Sequence, residues 1–338
     1  MRDFHLPGRS PVYASHGMAA TSMPAATLTA LDVLRAGGNA LDAAVAATAV
    51  LCVIEPQSTG IGGDCFCLYA PAGAGKVFAL NGSGRAPAAA TIDWFEQRQI
   101  SAIENTSAHA VTVPGAVNAW ETLLKAHGRK GLDELLQPAI GYAAEGWPVH
   151  QKVAWDWARL EPKLRKNGAH AFLPGGKAQN AGDIFRQPAL AETLRGIARH
   201  GAKAFYEGPV AADIVATLQA RGGLQTEEDF AAGQRNAEFV EPITLNWHGY
   251  DVYQCPPMVE TQSPLACRKW PGSRDSCRAR KRAVPSAVAN PGVSISYCGP
   301  LIPLLFYRGL AGLASTLSHV GRMVGELAAG GFTESPTH

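Results

Sequence analysis

Long apolar runs are absent from this sequence, and no stretch reaches the roughly 18 consecutive apolar residues that a membrane-spanning helix requires. Residues 1–11 lack the apolar centre of a secretory signal, so we expect no signal peptide. An excess of one charge is also missing, because 30 Lys and Arg oppose 28 Asp and Glu. These absences predict a cytoplasmic protein with neither a membrane nor a nucleic acid as partner.

Metal-ligand spacing is missing as well. Cys65 and Cys67 form a C-x-C pair, but no second Cys or His pair follows at the distance that a zinc site needs. We therefore predict no metal and no cofactor, and interpret both cysteines as small, buried, reduced residues of a strand. The candidate histidines are scattered, which favours structural roles for His16, His109, His127 and His248.

The charged residues that are present divide unevenly along the chain. Residues 263–338 hold nine Lys and Arg but three Asp and Glu, whereas residues 1–262 hold 21 and 25. Such an asymmetry indicates a change of segment. We predict an N-terminal extension over residues 1–10, a main region over 11–262, and a divergent basic tail over 263–338. The tail is interpreted as either frameshifted or disordered.

Helix and strand signals are clear in the main region. Pro24 suits a first helical turn, Gly37 and Gly38 suit a helix stop, and Asn39 suits the cap of a second, alanine-rich helix. Further helices are predicted over residues 116–126, 131–146, 188–200, 202–218, 227–232 and, in the tail, near 308–328. Strands are predicted over residues 65–69, 76–80 and 111–113, and as a pair over 241–253 that turns at His248-Gly249.

Several stretches, in order, resemble the γ-glutamyltransferase family. Residues 34–46 read LRAGGNALDAAVA, similar to the family's L-R-x-G-G-N-A-x-D-A-A-V-A. Residues 55–63 read EPQSTGIGG, similar to its E-P-x-x-S/T-G-I-G-G loop. Residues 110–115 and 187–194 are similar to V-x-V-P-G and Q-P-x-L-A-x-T-L. The similarity covers residues 11–260. The rival reading of the glycine loop as a phosphate-binding loop is disfavoured, because no Lys-Ser/Thr follows it.

The resemblance implies an α+β fold, namely the large-subunit part of the αββα sandwich of N-terminal-nucleophile hydrolases. It also implies transfer or hydrolysis of γ-glutamyl (glutathione-type) amides. In that family a threonine exposed by self-cleavage is both nucleophile and amine base. No Thr-Thr pair occurs here and Thr337 stands one residue from the last, so we assign no catalytic residue. We expect this chain to be truncated before the catalytic threonine and inactive alone.

The resemblance also places a substrate site in residues 81–87, which read NGSGRAP where the family has a D-F-R-E-x-A-P-like segment. In the family, the arginine of that segment binds the substrate carboxylate. Ser83 occupies the matching position, and Arg85 follows two residues later. We therefore name Arg85 and Ser83 as candidate substrate-binding residues, since a guanidinium suits a planar carboxylate. The alternative for Arg85 is a structural ion pair.

Three hypotheses remain open from the sequence. The chain is an inactive large-subunit version of a γ-glutamyl enzyme, a non-enzymatic binding or partner module, or a glutaryl-type acylase subunit that needs a second chain. A γ-glutamyl or related amide is the expected substrate and a small subunit is a possible partner. In the family both subunits complete the sheets, so residues 11–260 alone should expose strand edges and apolar faces.

Overall fold

A computed structural model describes residues 12–104, 106–247, 249–256, 293–297 and 302–307. Helices and short antiparallel strands alternate along the first 256 residues. The helices are α1 Pro24–Arg35, α2 Ala40–Ile54, α3 Ile92–Glu96, α4 Ala116–His127, α5 Leu132–Leu135, α6 Gln137–Glu145, α7 Gln151–Lys166, α8 Pro188–His200, α9 Lys203–Tyr206, α10 Pro209–Gln219 and α11 Glu227–Gly233. The strands are β1 Met18–Ala20, β2 Cys65–Tyr69, β3 Phe78–Gly82, β4 Trp147–Pro148, β5 Ile184–Phe185, β6 Glu238–Val240, β7 Ile243–Trp247, β8 Tyr250–Gln254, β9 Val293–Tyr297 and β10 Ile302–Tyr307.

Helix α2 lies at the centre of the core, and every one of its 15 residues is buried. Its small alanine side chains let neighbouring elements approach closely on all sides. The Asn39 side chain accepts hydrogen bonds from the N–H groups of Leu41 and Asp42, and the Asp42 carboxylate accepts the Asn39 N–H in return. This capping box confirms the predicted start of the helix.

Within the described residues, the strands pair in antiparallel fashion in four small sheets. One sheet has the order β2-β3-β6, with Cys65 opposite Gly82 and Leu80 opposite Phe239. Strands β7 and β8 form the predicted hairpin, and Gly249 at its turn has a φ of 85°, a conformation that favours glycine. Strands β4 and β5 form a short two-stranded sheet.

Strand β1 belongs to a sheet of order β1-β10-β9, whose last two strands come from the predicted tail. Part of that tail therefore pairs with the main region. The division at residues 10 and 262 stays a prediction. The helix expected near residues 308–328 lies outside the described residues.

Aromatic side chains fill the space beneath α7. The Trp157 ring contacts Phe185 at 4.9 Å between centroids, and both residues are buried. On the opposite face of the same helix, Trp155 is 56% exposed, with Lys152 and Arg159 over its ring. Helix α7 was not among the helices predicted from the sequence.

Some predicted elements differ from the structure. The strand expected over residues 111–113 is wrong, because these residues follow a 3-10 turn at Ala108–Ala110 and join no strand ladder. The helix expected over 131–146 is interrupted at Leu136. The helix expected over 202–218 is interrupted at Gly208, which has a φ of 78°. Strand β3 begins two residues later than predicted and extends to Gly82.

No helix in the described part of the chain is long and apolar enough to cross a membrane. Within the same residues, no group of three or more His, Cys, Asp or Glu side chains is placed to hold a metal ion.

Candidate functional site

The glycine loop between α2 and β2 begins at a buried carboxyl group. Glu55 is 4% exposed, and its Oε2 accepts a hydrogen bond of 2.5 Å from Ser22 Oγ. Burial raises the pKa of Glu55, and the Ser22 hydrogen bond opposes this shift only in part. Both polar atoms of the Gln57 amide are shielded from solvent and have no partner among the described residues.

The end of this loop binds the first turn of α4. The carbonyl oxygen of Gly63 accepts hydrogen bonds from the N–H groups of Gly115 and Ala116, at 3.0 and 2.9 Å. The first N–H groups of a helix have no partner within the helix, so this carbonyl satisfies donors that would otherwise be left over. The glycine loop and α4 are thereby fixed to each other.

A second hydrogen bond joins the loop to the turn that carries the predicted substrate residues. The N–H of Gly84 donates to Asp64 Oδ1 at 2.7 Å. The same turn is also joined to the segment before α4, because the N–H of Val113 donates to the carbonyl of Arg85 at 2.9 Å. Residues 62–64, 82–85 and 112–116 thus form a closed ring of contacts, which we call the three-segment junction.

Glycine is required where these backbones touch. A Cβ at Gly84 would lie 2.0 Å from the carbonyl oxygen of Val113, and one at Gly115 would lie 2.2 Å from that of Gly82. Any larger residue would force the segments apart. Gly84 and Gly115 therefore serve backbone contact inside the three-segment junction.

Two buried polar side chains, Tyr206 and Asn118, form hydrogen bonds that hold the junction in place. The Tyr206 hydroxyl donates to the carbonyl of Pro114 at 2.8 Å and accepts from the N–H of Asn118 at 3.1 Å. Burial raises the pKa of Tyr206, so this hydroxyl stays protonated and keeps its donor. The Asn118 side chain accepts the N–H of Ala237 at 2.7 Å. Buried polar groups satisfied in this way hold the backbone in one position.

The two predicted substrate residues have different environments. Arg85 is exposed, and its guanidinium forms no hydrogen bond or ion pair within the described ranges. The ion-pair alternative for Arg85 therefore has no partner in that part of the chain. Ser83 is 7% exposed, and its N–H donates to Asn81 Oδ1 at 3.1 Å. The assignment of both residues to substrate remains a prediction.

Asp64 is the junction residue that the sequence analysis missed. It follows the two glycines directly and precedes β2, but its partner is 20 residues away in the chain. Burial raises the pKa of Asp64, and the hydrogen bond from Gly84 lowers it by less.

The cysteines and histidines have other surroundings. Cys52, Cys65, Cys67 and Cys255 are buried, and Cys52, Cys65 and Cys67 form no disulfide within the described residues. Burial raises the pKa values of Cys52 and Cys65 to about 12. Such thiols are unreactive. His127 packs against Tyr69, Phe78 and Phe239, and His109 against Trp94 and Phe95. His248 lies outside the described residues.

Comparison with known proteins places this chain in a family. The family model for Gamma-glutamyltranspeptidase matches residues 26–264. The chain is similar to a glutathione hydrolase-like YwrD proenzyme of Bacillus subtilis (strain 168), with 39% identity over 227 residues. That alignment covers 67% of this chain and 43% of the relative.

Solved structures agree on the fold. The cephalosporin acylase of Bacillus halodurans has 39% identity and a TM-score of 0.70, covering 76% of this chain and 49% of that one. The γ-glutamyltranspeptidase of Helicobacter pylori has 33% identity and a TM-score of 0.68, covering 73% and 72%.

The fold is thus the α+β fold of N-terminal-nucleophile hydrolases, as predicted. The chain belongs to the γ-glutamyltranspeptidase family and corresponds to its large-subunit part. It spans less than half of the length of the curated relative described above.

Proposed function

We propose that this chain supplies the acyl-binding part of an enzyme that hydrolyses or transfers γ-glutamyl amides, with Arg85 binding the substrate carboxylate. The observation that carries the proposal is the Arg85 guanidinium, which is exposed and has no acidic partner among the described residues. Its turn is fixed to the other two segments of the three-segment junction. A guanidinium held in this way is available to a carboxylate ligand.

We assign the catalytic nucleophile to a second segment or chain. This assignment is supported by the alignment with the relative, which covers only 43% of the relative's length. The purified chain should therefore show neither self-cleavage nor turnover of γ-glutamyl-p-nitroanilide. Addition of a separately purified small subunit should produce turnover. A non-enzymatic module, the alternative, would stay inactive in both cases.

In the reconstituted enzyme, Arg85→Ala should raise KM by about ten- to hundredfold, because a charge-assisted hydrogen bond worth roughly 1.5–3 kcal/mol is lost. Arg186→Ala is the matched control, since Arg186 is also exposed and forms no ion pair in the described part of the chain. An Arg85→Ala enzyme with unchanged KM and lower thermal stability would contradict the proposal.

A glutaryl-type acylase is a second candidate. Ser83 is buried at the position where the family resemblance implies an arginine, and a cephalosporin acylase is among the similar structures. The ratio of kcat/KM for γ-glutamyl and glutaryl anilides distinguishes the two. A preference for the glutaryl substrate would identify the acylase.

A further inference from the structure

The three links of the three-segment junction differ in kind. Gly63 is joined to Gly115 and Ala116, and Val113 to Arg85, by hydrogen bonds between backbone groups. These links depend little on side-chain identity. The link between the glycine loop and the Gly84–Arg85 turn uses the Asp64 carboxylate. Beyond the β2–β3 ladder, where Cys65 lies opposite Gly82, a single side chain connects the loop to the turn that presents Arg85.

We infer that Asp64 is a positioning residue, which holds the Gly84–Arg85 turn in the orientation that lets Arg85 bind a substrate carboxylate. The inference rests on the proposed function for the role of Arg85. Asp64 itself does not touch substrate in this assignment. It acts through Gly84, the residue immediately before Arg85.

Asp64 Oδ1 accepts the Gly84 N–H, and this N–H makes no hydrogen bond to a backbone carbonyl among the described residues. Gly84 is buried, so loss of the Asp64 oxygen would leave a buried donor unsatisfied, and such groups are rare in folded proteins. The turn would then move to reach water or another acceptor, and Arg85 would move with it. Asparagine has the same acceptor oxygen without the charge, whereas alanine has none.

Hydrogen exchange in the full chain tests the positioning directly and needs no activity. Asp64→Ala should speed exchange of the Gly84 amide by about tenfold or more, and that of Val113 as well, because the turn moves. The Gly115 amide, bonded to Gly63, should keep its rate. Asp64→Asn should stay close to the original chain. Unchanged Gly84 exchange in Asp64→Ala would overturn the inference.

Kinetics of the reconstituted enzyme test the consequence for substrate. Asp64→Ala should raise KM about as much as Arg85→Ala, about ten- to hundredfold, with kcat changed less. The double variant should be no worse than either single one, because both changes remove the same contact. Asp64→Asn should restore KM to within about threefold, and the exposed control Asp213→Ala should leave it unchanged.

The outcomes separate the two claims. If Arg85→Ala raises KM but Asp64→Ala does not, the positioning role is wrong and the proposed function stands. If neither variant changes KM, the role of Arg85 in the proposed function fails, and the inference built on it fails too. Additive effects of the two substitutions would likewise overturn the inference.

Discussion

At the residue scale, the Glu55 carboxyl makes stability depend on pH. Its raised pKa means that the folded chain holds this proton more tightly than the unfolded chain. The resulting stability is present below the ordinary carboxyl pKa and is lost as pH rises through the raised value. Glu55→Gln removes this loss, so the free energy of unfolding of the variant should increase relative to that of the original chain as pH rises above the ordinary carboxyl pKa of 4.5.

Urea unfolding at several pH values measures this difference. Glu145→Gln serves as control, because Glu145 is exposed and forms no hydrogen bond or ion pair in the described ranges. Parallel stability curves for Glu55→Gln and the original chain would show that the buried carboxyl has no such effect.

The backbone contact at Gly84 gives a second prediction at this scale. Gly84→Ala places a Cβ 2.0 Å from the Val113 carbonyl oxygen, so the junction must open. We expect a loss of about 1–3 kcal/mol, as for other overpacked sites. Gly62→Ala, where no atom lies within 4 Å of the added carbon, should change stability by less than about 0.5 kcal/mol. Thermal unfolding of both variants provides the comparison, and equal effects would contradict the contact.

Sequence reasoning reached part of this site. Arg85 and Ser83 could be named because the motif that carries them is continuous in the chain. Asp64 could not, because the partner of a lone acid after two glycines depends on which distant turn the fold brings near it. Ser83 is buried and Arg85 is exposed because three distant segments meet in the junction. The sequence of any one segment does not indicate that they meet.

At the element scale, the start of α2 is the most sensitive helix end. Asn39→Ala removes the acceptor for two N–H groups and also the hydrogen bond from Asn39 Nδ2 to the His127 carbonyl, at 2.7 Å. Loss of such a cap costs about 1–2 kcal/mol. Because α2 is wholly buried, the loss should appear in global unfolding by urea.

A cap of the same kind at an exposed helix is the control. The Thr91 side chain accepts the Trp94 N–H at the start of α3, a five-residue helix with no buried residue. Thr91→Ala should therefore reduce global stability much less than Asn39→Ala. A similar loss in both variants would mean that the burial of α2 does not matter.

Helices with clear end signals were the predictable ones. Pro24 marked α1 and Asn39 marked α2. Helix α7 was not predicted, although it has buried apolar residues at Val153 and Trp157, and it contains Pro162 away from its ends. The β-branched residues 111–113 favour a strand, but they pair with no strand in the described part of the chain, and pairing partners cannot be read from local pattern.

At the scale of the whole molecule, exposed apolar side chains on the β7–β8 hairpin favour self-association. Leu245 and Val252 face each other across the strands and are 40% and 36% exposed. Leu245→Lys should lower self-association in sedimentation velocity, since charge on such a surface opposes pairing. Thr244→Lys adds the same charge on the opposite face of the hairpin and should act less. If both substitutions lowered self-association equally, the change in net charge would explain the effect, and the prediction for this apolar face would be wrong.

The prediction of the architecture depended more on the order of the sequence motifs than on the periodicity of apolar residues. The resemblance over residues 11–260 led to the α+β sandwich, which the similar structures confirm. Composition drew attention to the tail but did not indicate that β9 would pair with β10 and β10 with β1. Such long-range pairing depends on strands that lie nearly 300 residues apart in the chain.

The two faces of α7 also have an optical consequence. Trp157 is buried among aromatic rings, whereas Trp155 is open to solvent with two cations over its ring. Iodide is an anion and should collect near Lys152 and Arg159, so it should quench the Trp155 emission more strongly than caesium does. The fluorescence that survives iodide should be bluer, because it comes from tryptophans such as Trp120 and Trp157 inside the core.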